Sequence, residues 1–145
     1  MPGPNAWLLD LGHSMRAAIG SRELVQIVEN PVLHAVPLTP DHARHVLIWQ
    51  KHLVPVISLS MRVAAQAADH SLVALVAYQE VGHHVPKLGA VFLASPPRRI
   101  EVSDDQATAQ DDCLADWKGL AISCFEREGE LVPVLHLNRL FRGNR

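Results

Sequence analysis

The heptapeptide Leu53-Val54-Pro55-Val56-Ile57-Ser58-Leu59 occurs a second time as Leu131-Val132-Pro133-Val134-Leu135-His136-Leu137. The two copies lie 78 residues apart and share five of seven residues. Leucine and valine are common, so chance recurrence is one explanation. Proline is disfavoured inside strands, however, and its identical placement in both copies is harder to attribute to chance. The repeat therefore predicts two similar small β-units in one chain.

The chain has 145 residues, the length of one ordinary domain. Half of it, about 70 residues, would not easily bury enough apolar surface to fold alone. We therefore expect residues 1–145 to form a single domain in which two intertwined β-subdomains share a core. The groove between the subdomains is a natural site for a partner.

Composition restricts the class of function. Hydrophobic residues make up 48% of the chain and charged residues 19%, and the formal net charge is −2, which does not favour non-specific nucleic-acid binding. No export signal precedes the first basic residue, Arg16, and the longest apolar run, Leu72 to Tyr78, is far shorter than a membrane span. Cys113 and Cys124 form no CxxC motif, so we expect two free thiols, a reducing compartment and a cytoplasmic location.

Alternation of apolar residues and turn signals predict a mostly β fold with a few short helices. Strands are expected within residues 6–19, 46–49, 53–59, 71–78, 88–94 and 117–141, the last segment turning at Gly129. Short helices are expected over residues 21–30 and 60–68. The aspartate-rich residues 103–116 are expected to form a solvated loop.

The nine histidines and two cysteines do not form a recognisable reaction centre. His83 and His84 are adjacent, and neighbours in an extended chain point to opposite faces, so joint chelation of one ion is not expected. The sequence has no G-x-S-x-G elbow, and Cys124 fits a buried strand position. We therefore predict no catalytic residues, no metal site and no cofactor.

Residues 46–59 resemble the hallmark of the CheW family, a strand ending in Asn-Leu-Arg-Gly followed by a strand ending in Pro-Val-Ile-Asp-Leu. Lys118-Gly119-Leu120-Ala121 and residues 131–140 resemble a second signature of that family. The sequence departs from the pattern at several polar positions. Ile48, Gln50 and Lys51 replace the Asn, Arg and Gly of the first motif, and Ser58 and His136 replace the two aspartates.

The resemblance implies two SH3-like five-stranded β-barrels packed together, with a few short helices. It implies a non-catalytic adaptor that couples the regulatory domain of a CheA-type histidine kinase to the cytoplasmic tip of methyl-accepting chemoreceptors. It implies no nucleic acid partner and no direct membrane insertion. The residues that we expect to contact a partner lie in the first hairpin: Val46, Ile48, Trp49, Gln50, Val54 and Val56.

Two alternatives remain open at this point. The first is an adaptor for type IV pilus signalling with altered partners, which the changes at Gln50 and Lys51 favour. The second is a small metal-dependent enzyme that uses the histidines.

Overall fold

The computed structural model describes residues 5–67, 69–80, 82, 84–102, 107–108, 117 and 119–142, with only the main chain at 107, 108 and 142. Within these residues the chain forms twelve strands, two short α-helices and a 3₁₀ turn at Asp41–Ala43. The strands are β1 (Asn5–Gly12), β2 (Met15–Gly20), β3 (Leu24–Glu29), β4 (Leu33–Ala35), β5 (His45–Trp49), β6 (His52–Ile57), β7 (Leu72–Tyr78), β8 (Lys87–Phe92), β9 (Ser95–Glu101), β10 (Ala107–Thr108), β11 (Ala121–Arg127) and β12 (Glu130–Leu135). The helices are α1 (Leu59–Ala64) and α2 (Leu137–Arg142).

The strands form two curled sheets of six strands each. One sheet has the order β3-β7-β8-β6-β5-β4 and is called the central barrel here. The other, with the order β10-β11-β12-β2-β1-β9, combines both ends of the chain and is called the terminal barrel. The all-β prediction is therefore confirmed. The strand count is six where the resemblance implied five, because the wrapping strand of the central barrel is split into β3 and β4 by residues 30–32.

The two barrels repeat one another in detail. From β6 to β12 the bounds shift by 78 residues, from 52–57 to 130–135, and α1 and α2 are separated by the same interval. β6 pairs in parallel with β8 at Val56 and Ala90, and β12 pairs in parallel with β2 at Val134 and Ala18. The structure thus places the two copies of the heptapeptide at equivalent positions of the two barrels.

The repeated proline fits because it precedes the parallel ladder. Pro55 lies opposite Val46 on β5, and the pairing with β8 begins one residue later, at Val56. Pro133 likewise comes one residue before Val134, where β12 pairs with β2. Each proline therefore lacks its amide hydrogen where the parallel partner is not yet paired, which is a position that tolerates it.

Three apolar clusters hold the molecule together. One lies inside the central barrel and one inside the terminal barrel. The third, which we call the shared cluster, contains buried residues of both barrels. Strand β7 shows the arrangement, since Leu72, Ala74 and Val76 face the shared cluster while Val73 and Leu75 face the central barrel interior. Successive strand residues point to opposite faces, so β7 is buried on both sides.

Helix α2 of the terminal barrel packs on the central barrel through Phe141. Its ring stacks on Tyr78, with centroids 5.2 Å apart and an interplanar angle of 9°. It also fills the space above Gly89, where an added Cβ would lie 2.3 Å from the ring. A side chain at residue 89 would therefore displace the helix.

Both helices begin at a residue where the sequence departs from the family's aspartate. The Ser58 hydroxyl accepts a hydrogen bond from the Met61 amide at 3.3 Å, which caps α1. The equivalent contact in α2 runs from the Arg139 amide to Nδ1 of His136, also at 3.3 Å. The substituted residues thus keep the capping function that a short polar acceptor performs at a helix start.

The two hairpin turns differ in residue type although their backbones agree. Gln50 and Lys51 have φ values of 45° and 70°, and the equivalent Glu128 and Gly129 have 52° and 82°. Two positive φ values in succession define the turn that matches the twist of paired strands. Only the terminal barrel has glycine at the second position.

Three expectations are corrected. Residues 24–29 of the predicted helix form β3, which pairs with β7. Residues 137–142 form α2 and not the end of a strand. Cys124 is disulfide-bonded and not a free thiol, so this cysteine gives no support for a reducing compartment. Cys113 and most of residues 103–116 lie outside the described residues. None of the helices in the described part is long and apolar enough to cross a membrane.

The turn difference predicts opposite effects of exchanging the residues. We expect Lys51→Gly to raise the free energy of unfolding by about 0.5–1 kcal/mol, because relief of left-handed strain exceeds the entropy cost of glycine. Gly129→Lys should lower it by a similar amount, since no atom lies within 4 Å of an added Cβ there and only the backbone is strained. Urea unfolding measures both, and a destabilising Lys51→Gly would contradict the assignment of strain.

The packing of α2 predicts a coupled pair of substitutions. Phe141→Ala should cost about 3–5 kcal/mol of stability, as for other buried phenylalanines. Gly89→Ala should cost about 1–3 kcal/mol in the wild-type protein because of overpacking. In the Phe141→Ala background the same glycine substitution should cost less than about 0.5 kcal/mol, and equal costs in both backgrounds would show that the ring is not the obstacle.

The capping contacts predict unequal effects of restoring aspartate. His136→Asp should stabilise the protein by about 0.5–1 kcal/mol, because a carboxylate is a better helix cap than imidazole. Ser58→Asp should change stability by less than about 0.5 kcal/mol, because serine and aspartate are comparable caps. Thermal unfolding of both variants distinguishes the two cases, and a larger gain from Ser58→Asp would refute this account.

Candidate partner-binding surface

The hairpin formed by β5 and β6 has one apolar face inside the central barrel and one outside. Leu47 pairs with Val54, and both are buried. The next pair, Ile48 and Leu53, faces outward with 54% and 72% of each side chain exposed. Two adjacent exposed aliphatic residues on one strand pair give the outer face a surface suited to a partner.

The structure separates the six residues that were predicted to contact a partner. Val46 and Ile48 lie on the outer face, and Val46 is half-buried opposite Pro55. Val54 and Val56 are 0% and 1% exposed and belong to the central barrel interior, which corrects their assignment to the surface. The reason is the two-residue period of the strand, which places them opposite Leu53 and Pro55.

Trp49 and Gln50 lie at the end of the hairpin. Trp49 is half-buried and packs against the interior cluster of the central barrel, as expected for a core aromatic residue. Gln50 occupies the first position of the turn. The surface that these residues define therefore consists of Val46, Ile48 and the turn, with Trp49 supporting it from below.

A groove next to this face was not found from the sequence. It has a volume of about 800 Å³ and is lined by residues of β6, of β7, of α2 and of the segment leading into β8. Among its apolar residues are Leu53, Pro55, Tyr78, Val85, Leu88 and Phe141. We call it the β6–β8 groove. Its walls are distant in sequence, so the one local signal was the outward position of Leu53 in the alternation of β6.

The equivalent place in the terminal barrel is smaller and is spanned by charges. The cavity there has a volume of about 250 Å³ and is lined by residues of β2 and β12. Arg16 and Glu130 lie 3.6 Å apart across it. In the central barrel the equivalent positions are Leu88 and His52, which form no such ion pair with each other. The apolar groove is therefore a property of the central barrel.

The chemistry of the β6–β8 groove is that of a contact surface. None of its described lining residues is a serine, a cysteine or a carboxylic acid. Its lysine, Lys87, forms an ion pair with Glu80. Burial raises the pKa of Glu23 while a hydrogen bond from the Gly20 amide lowers it, but this carboxyl lies where the chain crosses between the barrels. Neighbouring apolar walls with few ionisable groups favour binding of an apolar segment.

The histidines do not gather into a metal centre in the described part of the chain, where no three histidine, cysteine, aspartate or glutamate side chains are placed to hold one ion. His84 is exposed, as expected for a turn, and His83 lies outside the described residues.

Comparisons with known proteins agree with this architecture. The crystal structure of the scaffolding protein TtCheW from Thermoanaerobacter tengcongensis superposes with a TM-score of 0.77 at 12% sequence identity, covering 97% of this chain and 93% of that one. At this identity the likeness shows the fold. No curated protein matches the sequence. A family model, the CheW-like domain, matches residues 7–145. The two repeated barrels and this match over nearly the whole length show that the chain belongs to the CheW-like domain family.

Proposed function

We propose that this protein is a non-catalytic adaptor that couples a CheA-type histidine kinase, through the kinase's regulatory domain, to the cytoplasmic tip of a methyl-accepting chemoreceptor. The proposal rests on membership of a family of scaffold proteins and on the apolar contact surface described above. A cytoplasmic location follows from these partners. It is part of the proposal.

The single observation that carries the proposal is the outer face of the central barrel. Leu53, at 72% exposure, lies beside Ile48 and at the rim of the β6–β8 groove. Val85, at 76%, stands at the same groove. Exposed aliphatic residues around a concave apolar surface are typical of protein–protein contacts, where buried anchors supply most of the affinity.

The changes in the first hairpin favour a second output. Gln50 stands where the family motif has arginine, and glutamine cannot supply the planar donor fork of a guanidinium. Lys51 adds a positive charge at a position that is glycine in the motif. These two residues favour altered partner choice, and type IV pilus signalling is the alternative that we retain.

Capture from an extract of the source cell distinguishes the two outputs. The protein is immobilised and the bound proteins are identified, with a Leu53→Asp variant as the control surface. The proposal expects a chemotaxis kinase and receptor among the proteins lost with this variant. A pilus-associated kinase would support the alternative, and loss of neither class would refute both.

Reconstitution tests the adaptor role directly. We expect Leu53→Asp to weaken co-sedimentation with the kinase regulatory domain at least tenfold, because a carboxylate in an apolar contact is not desolvated without cost. Ile122→Asp in the terminal barrel is the matched control, since this isoleucine is as exposed as Ile48, at 54%. The control should bind within about twofold of the wild-type protein.

Two results would contradict the proposal. The first is a wild-type protein that neither joins the kinase–receptor assembly nor changes the rate of kinase phosphorylation. The second is equal loss of binding in both variants, which would separate the adaptor role from the central barrel surface. Circular dichroism of each variant shows whether the fold is retained.

A further inference from the structure

Three aromatic rings meet at one side of the central barrel, away from the β6–β8 groove. The His70 ring stacks on Phe92, with centroids 4.4 Å apart and an interplanar angle of 16°. The His45 ring meets His70 edge-on at 4.9 Å and Phe92 at 6.0 Å. Phe92 is 3% exposed and belongs to the barrel interior, so the two histidines cover a core residue.

His70 belongs to the connection from α1 to β7, of which residues 65–67 and 69–71 are described. The Gln66 amide donates to the Ser60 carbonyl at 3.1 Å, and the Asn30 amide donates to the Ser71 carbonyl at 2.7 Å. Nε2 of His13, from the terminal barrel, lies 2.8 Å from the Ala67 carbonyl oxygen. Most side chains of this connection are exposed, and the stacked His70 ring is its aromatic contact with the barrel.

The charged groups around the rings do not neutralise a second positive charge. Asp41, His42 and Arg44 line the same cavity of about 250 Å³, together with the hydroxyl-bearing Ser58 and with Met61 of α1. The Asp41 carboxylate forms an ion pair with Arg44.

Two further ionisable groups lie near the cavity. Asp69 accepts a hydrogen bond from the Ser71 amide. His34 on β4 pairs with Val46 and therefore lies on the other face of β5 from His45.

We propose that His45 and His70 form a proton-sensitive clamp, which in the neutral state holds the α1–β7 connection on Phe92 and releases it when both rings are charged. One charged ring over Phe92 is tolerated, because an aromatic face attracts a cation. Two charged rings 4.9 Å apart, with Arg44 at the same cavity, repel one another.

The direction of the pH effect follows from the environment of His45. Burial lowers its pKa from 6.5, and the charges of His70 and Arg44 lower it further. The clamped form therefore binds its proton less readily than the open form. Below pH 6.5 the open form takes up protons first, so opening becomes more favourable as the pH falls. Each proton taken up on opening changes the opening constant by up to about tenfold per pH unit.

Hydrogen exchange of assigned amides tests the clamp in the intact protein. The reporters are the amides of Asn30 and Gln66, and the Ala77 amide, which donates to the Glu23 carbonyl at 2.8 Å, reports the remainder of the barrel. After correction for intrinsic exchange, we expect the opening constant at the two reporters to rise at least tenfold between pH 7.5 and 5.5, with a smaller rise at Ala77.

Substitutions separate the clamp from general destabilisation. His70→Phe and His45→Phe keep an aromatic ring and remove the charge, so each should reduce the rise to within about twofold. His34→Phe, outside the cluster, should behave as the wild-type protein. Equal rises in all four proteins, or no rise in the wild-type protein, would overturn the proposal.

The ring protons of the wild-type protein give a second and independent reading. NMR titration should show His45 and His70 titrating together, with the pKa of His45 below 6.5. If one phenylalanine variant does not fold, the other variant and this titration still decide the outcome. Independent titration of both rings at their ordinary pKa would refute the clamp.

Discussion

The apolar interior that the two barrels share is the constraint on which the other features depend. It draws on β1 and β2 from one barrel, on β7 and β8 from the other, and on both helices. These strands are apolar on both faces because each face meets a different cluster. Neither barrel could withdraw without exposing a continuous set of buried residues to water, which is the main cost that opposes separation.

The helices connect this interior to the candidate surface. Helix α2 follows the repeated strand of the terminal barrel, yet its Phe141 lies over Gly89 and lines the β6–β8 groove of the central barrel. The groove is therefore completed by the partner barrel. A scaffold function agrees with this arrangement, since the polar groups that remain in the groove are few and the surface is built from aliphatic and aromatic side chains. The ion pair of Arg16 and Glu130 marks the equivalent place in the terminal barrel as a different surface.

Much of the fold was accessible from the sequence because the repeat carries its own test. The proline-bearing strand occurs at equivalent places, and the hairpin over residues 45–57 has the predicted alternation. The segment 21–30 was misassigned because Leu24, Val25, Ile27 and Val28 satisfy a helical period as well as that of a half-buried strand. Its pairing with β7, more than 40 residues away in sequence, decides the outcome, and no local pattern contains that information.

The candidate site was only partly accessible for the same reason. Alternation identifies which residues of β6 share a face, but it does not say which face is inside, and Val54 and Val56 were placed on the wrong one. The groove depends on contacts among β6, β8 and α2 that are set by tertiary packing. The clamp of His45 and His70 joins residues that no motif connects.

Native-state hydrogen exchange in increasing urea tests the shared interior most directly. The amides of β7 report the central barrel and those of β12 report the terminal barrel. If the shared cluster makes the two barrels one folding unit, the most protected amides of both strands should converge on the same free energy of opening. Opening of one barrel at a distinctly lower free energy, with the other still protected, would contradict the account.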